Sequence, residues 1–248
     1  MLLFMSQHEA FEQADLSSLR LIAVGGAPMP QPLLRLYNGR GIPVHQGYGM
    51  TETTTMISFL NPERSADKLG SCGNAPILTE FMLKDYSGNP IKEPRVKGEV
   101  CVRGANVMKG YWNRPDATDA VFDADGWFHS GDVGYVDEEG FLYFCDRLKD
   151  MIISGGENVY PAEVESVLFG HPAIAEIAVV GAPDERWGER VVAVVTLKPG
   201  ASLTLTELQA YGGERLARYK LPRELRLVEA LPRNPTGKVL KNRLREAG

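Results

Sequence analysis

Cysteine is scarce: Cys72, Cys101 and Cys145 are the only three in 248 residues. They are odd in number, widely spaced and without CxxC spacing, which speaks against disulfides or a zinc site and fits a reducing cytoplasm. Positive charge is not in excess either. Lys and Arg number 27 against 32 Asp and Glu, a formal net charge of −5, so the broad basic face that neutralises nucleic-acid phosphates is not expected. No apolar run approaches the ~18 residues that span a bilayer. The opening MLLFM is too short for a secretory h-region and lacks a basic flank. Repeats and low-complexity tracts are absent. What remains is a soluble globular chain whose 44% hydrophobic content suffices for a core in one large domain or two ordinary ones.

Three zones differ in texture. In the first, LRLIAV (19–24) is a short apolar run ending in GGAP (25–28), PQPLLRLYNG (30–39) has helical spacing with proline early and glycine late, and IPVHQ (42–46) is a second short run. Strand, helix and strand with such short links predict a βαβ unit with parallel strands. Both carboxyl ends then lie on one sheet edge, where open parallel sheets bind ligands, so GGAP and GYGMTE (47–52) should line one site. The glycines allow close backbone approach, and Thr51 and Glu52 suit phosphate oxygens and a hard cation such as Mg²⁺. A plain turn with solvated threonines is the alternative.

The second zone, 71–147, alternates short apolar strands with Gly, Asn and Asp turns. Within it DVGYV (132–136) and FLYFC (141–145) flank DEEG, an antiparallel hairpin signature. Pairing Val136 with Phe141 puts Asp132 opposite Cys145 and Arg147 diagonally on Asp132's face. A carboxylate and a guanidinium there could take ribose hydroxyls and a phosphate, or be an ordinary surface pair. After Arg147 the third zone begins: PAEVESVLFG (161–170) predicts a helix with Val164, Val167 and Leu168 on one face. Runs 173–181 and 190–198 predict strands around the polar turn APDERWGE, and 205–220 predicts a helix. A strand (223–228) and a basic helix follow, an α+β unit of about 100 residues. Gly237-Lys238 is not a Walker loop, because the earlier glycine and the following Ser or Thr are missing.

Taken in order, GGAP, QGYGMTE, GYWNRP, GWFHSGD, DRLKDMIISGGENVYPAEVE and NPTGK resemble the adenylate-forming enzymes, specifically the acyl-CoA synthetases (fatty-acid–CoA ligases). The resemblance implies a partial parallel α/β sheet and a β-rich subdomain of the AMP-binding domain over 1–148, then a small mobile α+β domain over 149–248. It implies ATP, AMP, Mg²⁺ and coenzyme A as ligands and a carboxylic acid, by default a fatty acid, as substrate. Gly26, Ala27, Pro28, Gly47, Tyr48 and Gly49 would hold adenine and border the acyl pocket. Thr51 would contact phosphate and Glu52 would bind Mg²⁺. Asp132 would take the ribose hydroxyls with help from Arg147. Lys149 matches the hinge, Gly155 and Gly156 would let pantetheine pass, Asn158 matches a polar position near the adenylate, and Lys238 matches the lysine required for adenylation.

The chain also departs from that family. Members run to about twice this length, with a Ser/Thr/Gly-rich phosphate loop well before GGAP, and no such run with its lysine precedes Gly25. The chain therefore reads as the carboxy-terminal half of such an enzyme, with an exposed sheet edge that should seek a partner chain or a dimer contact. Ile153 stands where some relatives carry a second lysine, so no role is assigned there. A peptide-synthetase-type adenylation domain and a catalytically silent nucleotide-binding remnant are the competing readings.

Overall fold

The computed structural model describes residues 1–27, 29–235 and 237–246. The amino-terminal part contains α1 (Leu2–Ser6), β1 (Ile22–Val24), α2 (Gln31–Gly39), β2 (Val44–Tyr48) and β3 (Ser58–Phe59). Pro32 stands in the first turn of α2, where a missing N–H costs nothing. Its buried face, Leu33, Leu34 and Tyr37, packs with Phe11, Ile42 and Val44. That helix returns the chain so that β1 and β2 pair in parallel, Ile22 with Val44 and Val24 with Gln46. The predicted βαβ unit is present, and both strands end on one edge. β3 adds antiparallel to β2, while β1 has only β2 as a neighbour among the described residues.

A second, wholly antiparallel sheet follows, built from β4 (Thr79–Lys84), β5 (Pro90–Ile91), β6 (Gly98–Gly104), β7 (Phe128–Val136) and β8 (Leu142–Arg147) in the order β5-β4-β6-β7-β8. A short helix, α3 (Pro115–Asp119), lies between β6 and β7. Val100, Val102, Phe128 and Leu142 form its core with Ile57 and Tyr48 from the first sheet's neighbourhood. Gly73 joins the two sheets: it bridges to Leu142 while Asn74 bridges to Phe59. Its φ is +80°, and a Cβ there would stand 1.8 Å from the Phe59 carbonyl oxygen.

The β7–β8 hairpin differs in register from the prediction. Val136 pairs with Leu142, a shift follows between Val133 and Gly134, and Asp132 pairs directly with Arg147. Two local features account for this. Asp137 closes a longer turn by accepting the amide protons of Glu139 and Phe141 through Oδ1, and Cys145 is the bulged residue of β8.

The third part comprises β9 (Ile152–Ser154), β10 (Glu157–Val159), α4 (Pro161–Leu168), β11 (Ile174–Asp184), β12 (Gly188–Leu197), α5 (Leu205–Gly213), β13 (Glu224–Leu227) and α6 (Lys241–Glu246). Its sheet runs β10-β9-β12-β11, with β13 parallel to β12. Val191, Ala193 and Val195 face α4 and α5, whereas Val192 and Val194 face Leu231 and α6's Leu244. Burial on both faces explains the unbroken apolar run in β12. The β11–β12 turn is shorter than predicted, because the strands continue through Asp184 and from Gly188, and Asp184 caps the amides of Arg186 and Trp187. The helix predicted over 205–220 ends at Gly213, after the paired glycines, and Arg218–Lys220 forms a separate 3-10 turn.

The Gly73 geometry predicts that Gly73→Ala lowers the unfolding free energy by at least about 2 kcal/mol, combining backbone clash with a left-handed conformation. Gly88 has φ +84° with nothing within 4 Å of a built Cβ, so Gly88→Ala isolates the backbone contribution, about 1 kcal/mol. Urea unfolding midpoints of the two variants give the comparison.

Candidate active site

Four separate segments converge at the carboxyl edge of β1 and β2. Gly26 and Ala27 follow β1, and Gly47 to Gly49 end β2. Asp132 and Arg147 come from the β7–β8 hairpin, and Lys238 reaches in from the carboxy-terminal turn. With Gln46, Cys72 and Phe144 they line a cleft of about 90 Å³. It adjoins a cavity of about 520 Å³ that shares Ala27, Phe144, Arg147 and Lys238. The first volume alone falls short of the roughly 300–1,000 Å³ of drug-sized ligand sites, and the second lies within that range. Gly49 is required by packing, since a Cβ there would lie 2.0 Å from the Thr55 carbonyl oxygen. Gly26 has φ +82°, a conformation that glycine adopts without strain. Pro28 lies outside the described residues.

Asp132 is buried, at 5% exposure. The Tyr48 hydroxyl donates to its Oδ2 at 2.9 Å, and Arg147 Nε lies 3.7 Å from its Oδ1. Burial raises the carboxyl pKa, while the Tyr48 bond, Arg147 and Lys238 each pull it back down. The phenol of Tyr48 is pushed well above its ordinary range by burial and by the neighbouring carboxylate. Lys238 is lowered, first by loss of solvent and then by Arg147's charge. With one carboxylate against a guanidinium and an ammonium, the cleft carries one surplus positive charge and is suited to an anion. Its backbone is fixed by Asn234, whose Oδ1 accepts the Lys238 amide at 2.8 Å.

Other predicted residues stand apart from this cleft. Thr51 and Glu52 lie in a 3-10 turn between β2 and β3, followed by Thr54 and Thr55 at φ +50° and +71°, costly angles for β-branched residues. The Tyr111 hydroxyl donates to Glu52 Oε1 at 3.0 Å, and the Met108 amide donates to the Glu52 carbonyl at 2.8 Å. Tyr111 belongs to the GYWNRP stretch (110–115), to which the family resemblance gives no role. Its donation leaves Oε2 for a cation, and one carboxylate plus substrate oxygens is the usual protein share of a Mg²⁺ shell. Glu52 therefore fits that ion.

Lys149 lies in the 3-10 turn Leu148–Asp150 and lines the larger cavity. Gly155 and Gly156 form the two-residue β9–β10 turn, with φ +63° and +83°. Positive angles at both central residues define the type I′ hairpin turn that glycine favours, and a Cβ on Gly155 would strike Trp187. Asn158 Nδ2 sits 3.5 Å from the Tyr86 hydroxyl. None of these three lines the small cleft. Ser130, which accepts the Asp132 amide at 3.1 Å, and Phe144 in the cleft wall were not singled out from sequence. Their signal was the hairpin register, which the bulge at Cys145 obscured.

Two family models match successive parts of the chain. The model of the AMP-binding enzyme family matches residues 1–112, and that of the AMP-binding enzyme C-terminal domain matches 163–238. A long-chain-fatty-acid–CoA ligase of Mycobacterium tuberculosis is 46% identical over 243 residues, covering 98% of this chain and 48% of the ligase. A feruloyl-CoA synthase of an Amycolatopsis species is 49% identical over 238 residues, covering 96% and 48%. Among solved structures, o-succinylbenzoate CoA synthetase of Bacillus subtilis with its acyl-adenylate intermediate superimposes with a TM-score of 0.87 at 46% identity, covering 97% of this chain and 49% of that one. The same enzyme with ATP and magnesium ion gives 0.84 at 45%, covering 97% and 48%. The chain thus spans about half the length of the relatives it matches. Two family models in consecutive order, with Asp132 and Arg147 between them and Lys238 at the end of the second, make this chain a member of the AMP-binding, adenylate-forming enzymes.

Proposed function

We propose that the chain serves an acyl-CoA ligase reaction in the cytoplasm. A carboxylate oxygen attacks the α-phosphorus of ATP and pyrophosphate leaves. The thiol sulfur of coenzyme A then attacks the acyl carbon, AMP leaves, and the thiol proton is released. The observation that carries this reading is the convergence of Asp132, Arg147 and Lys238 at the glycine-rich edge. Asp132 accepts from both ribose hydroxyls, Arg147 meets the attached phosphate, and Lys238 neutralises charge where carboxylate and α-phosphate approach. Gly26, Ala27, Pro28, Gly47, Tyr48 and Gly49 border adenine and the acyl group. Thr51 contacts phosphate and Glu52 holds Mg²⁺, which when bound neutralises the phosphate oxygens.

The two half-reactions need different geometries at one site, because Lys238 occupies space that the thiol must reach. Division into 1–148 and 149–248 with Lys149 as hinge meets that need. Gly155, Gly156 and Asn158 approach the cleft after rotation, the glycines giving pantetheine a path. The substrate we favour is a fatty acid. The named relatives divide between fatty and aromatic acids, so a panel of both classes is the appropriate assay.

Saturating AMP, at about 100 times its Kd, should raise the melting temperature by roughly 5–10 °C, since it binds only the native state. Failure of AMP and ATP to shift it would favour a silent remnant. Asp132→Asn should lose that shift yet melt higher than the wild type without ligand. The sign follows from the raised Asp132 pKa. The carboxyl's favourable contribution is complete below its unfolded-state value and is lost as pH rises through the folded one. The advantage of Asn should therefore be largest near pH 7 and vanish in acid, as thermal melts across pH will report.

Lys238→Ala should lower acid-dependent pyrophosphate release at least about 100-fold while leaving thiolysis of a supplied acyl-adenylate within a few-fold. Equal loss of both steps contradicts the role given to Lys238. Lys149→Pro, by stiffening the hinge, should slow one half-reaction more than the other in single-turnover assays, and equal rates would remove the hinge assignment.

A further inference from the structure

Linear spacing of the cysteines disclosed no metal site, but strand pairing creates a constellation that spacing does not show. Cys101 of β6 pairs directly with His129 of β7, and Glu99 lies two residues before Cys101 on the same face of its strand. His129 Nδ1 is 2.7 Å from Glu99 Oε2 and 3.6 Å from Cys101 Sγ, and the three ligand atoms all lie within 4.8 Å of one another. Glu99's other oxygen accepts the Gly131 amide at 2.9 Å, which fixes the carboxylate. None of the three residues lines the nucleotide cleft.

We propose that Glu99, Cys101 and His129 bind a divalent cation of the zinc class, at a site separate from the Mg²⁺ position at Glu52. Carboxylate oxygen, thiolate sulfur and imidazole nitrogen together are a borderline-soft donor set, the kind Zn²⁺ takes and Mg²⁺ does not. The 3.6 Å separation of Sγ and Nδ1 already matches the roughly 3.6 Å edge of a tetrahedron with Zn–S and Zn–N bond lengths. The 2.7 Å Glu99–His129 contact has to open by roughly 0.6 Å to reach the corresponding edge. With 18% and 29% side-chain exposure, Glu99 and His129 admit a cation from solvent and leave room for water as the fourth ligand.

Neighbouring groups suit the same ion. On the imidazole's far side Nε2 lies 3.5 Å from Asp123 Oδ2, so Asp123 is placed to accept from Nε2–H once a metal takes Nδ1 and the ring proton moves to Nε2, as carboxylates do behind metal-bound histidines. Asp123 is itself held by Lys84 and by the amides of Asp125 and Trp127. The charges also balance. Glu99 and Asp123 against Lys84 leave one negative charge, and metal binding displaces the Cys101 thiol proton to solvent, adding the second.

Titration with Co²⁺ tests this without reference to nucleotide, so it stands or falls separately from the adenylate reading. The wild-type protein should show a near-ultraviolet thiolate-to-cobalt charge-transfer band that saturates at one equivalent, is displaced by Zn²⁺ and survives excess Mg²⁺. Cys101→Ala should lose the band, Cys72→Ala should keep it, and His129→Gln should weaken Co²⁺ affinity at least about tenfold. Absence of the band in the wild type overturns the proposal whatever the folding of the variants. So does a band that persists in Cys101→Ala, or unchanged affinity in His129→Gln.

Discussion

A carboxylate buried at the junction of two sheets is the demand around which the rest of this molecule is arranged. Asp132 has given up most of its hydration, and an ionised carboxylate in that position is tolerable only with donors and opposite charge close by. Tyr48 supplies the donor from the end of the parallel strand pair, and Arg147 and Lys238 supply the charge. Each comes from a different part of the chain. The first sheet, the hairpin and the carboxy-terminal turn must therefore be held in one relation for any of them to be comfortable. Gly73, bridging Leu142 while its neighbour bridges Phe59, is the joint that fixes the first two.

The third part is held against the others by polar as well as apolar contacts. Asp146, next to Arg147 in β8, accepts the Ala162 amide at 2.7 Å, at the amino end of α4, where a negative charge is favoured by the helix dipole. Lys241 of α6 pairs with the half-buried Glu165 at 2.8 Å and also acts on Asp146. Burial raises the pKa of both acids. Together with the apolar packing of Tyr160 on Val133 and Cys145, such contacts set one orientation of the third part.

The backbone is unusually constrained where phosphate chemistry is proposed. Thr54 and Thr55 at positive φ, and Gly49 with no room for a side chain, make the turn after β2 a shape that local propensity disfavours. The surrounding bonds from Asn106 to Thr53 and Met56, and from Thr54 to Asn106, keep it in place. Strain of this kind persists only where neighbouring structure over-determines it.

Short apolar runs, helical spacing and turn residues were enough to establish from sequence the parallel β1–β2 pair, the antiparallel second zone and the α+β third part, because these depend on local periodicity and on the few ways short links can join elements. Ordered motifs in the sequence likewise pointed to Asp132, Arg147 and Lys238. The bulge at Cys145, the direct pairing of Asp132 with Arg147, and the hydrogen bonds of Tyr48 and Tyr111 were not legible, since register and side-chain partners depend on residues distant in sequence. The same holds for Glu99, Cys101 and His129, which only the sheet brings together. Sequence determined which elements form and which chemical groups are present. Tertiary structure decided which groups meet, because cross-strand register and the packing of one sheet on another are settled by contacts that no local pattern encodes.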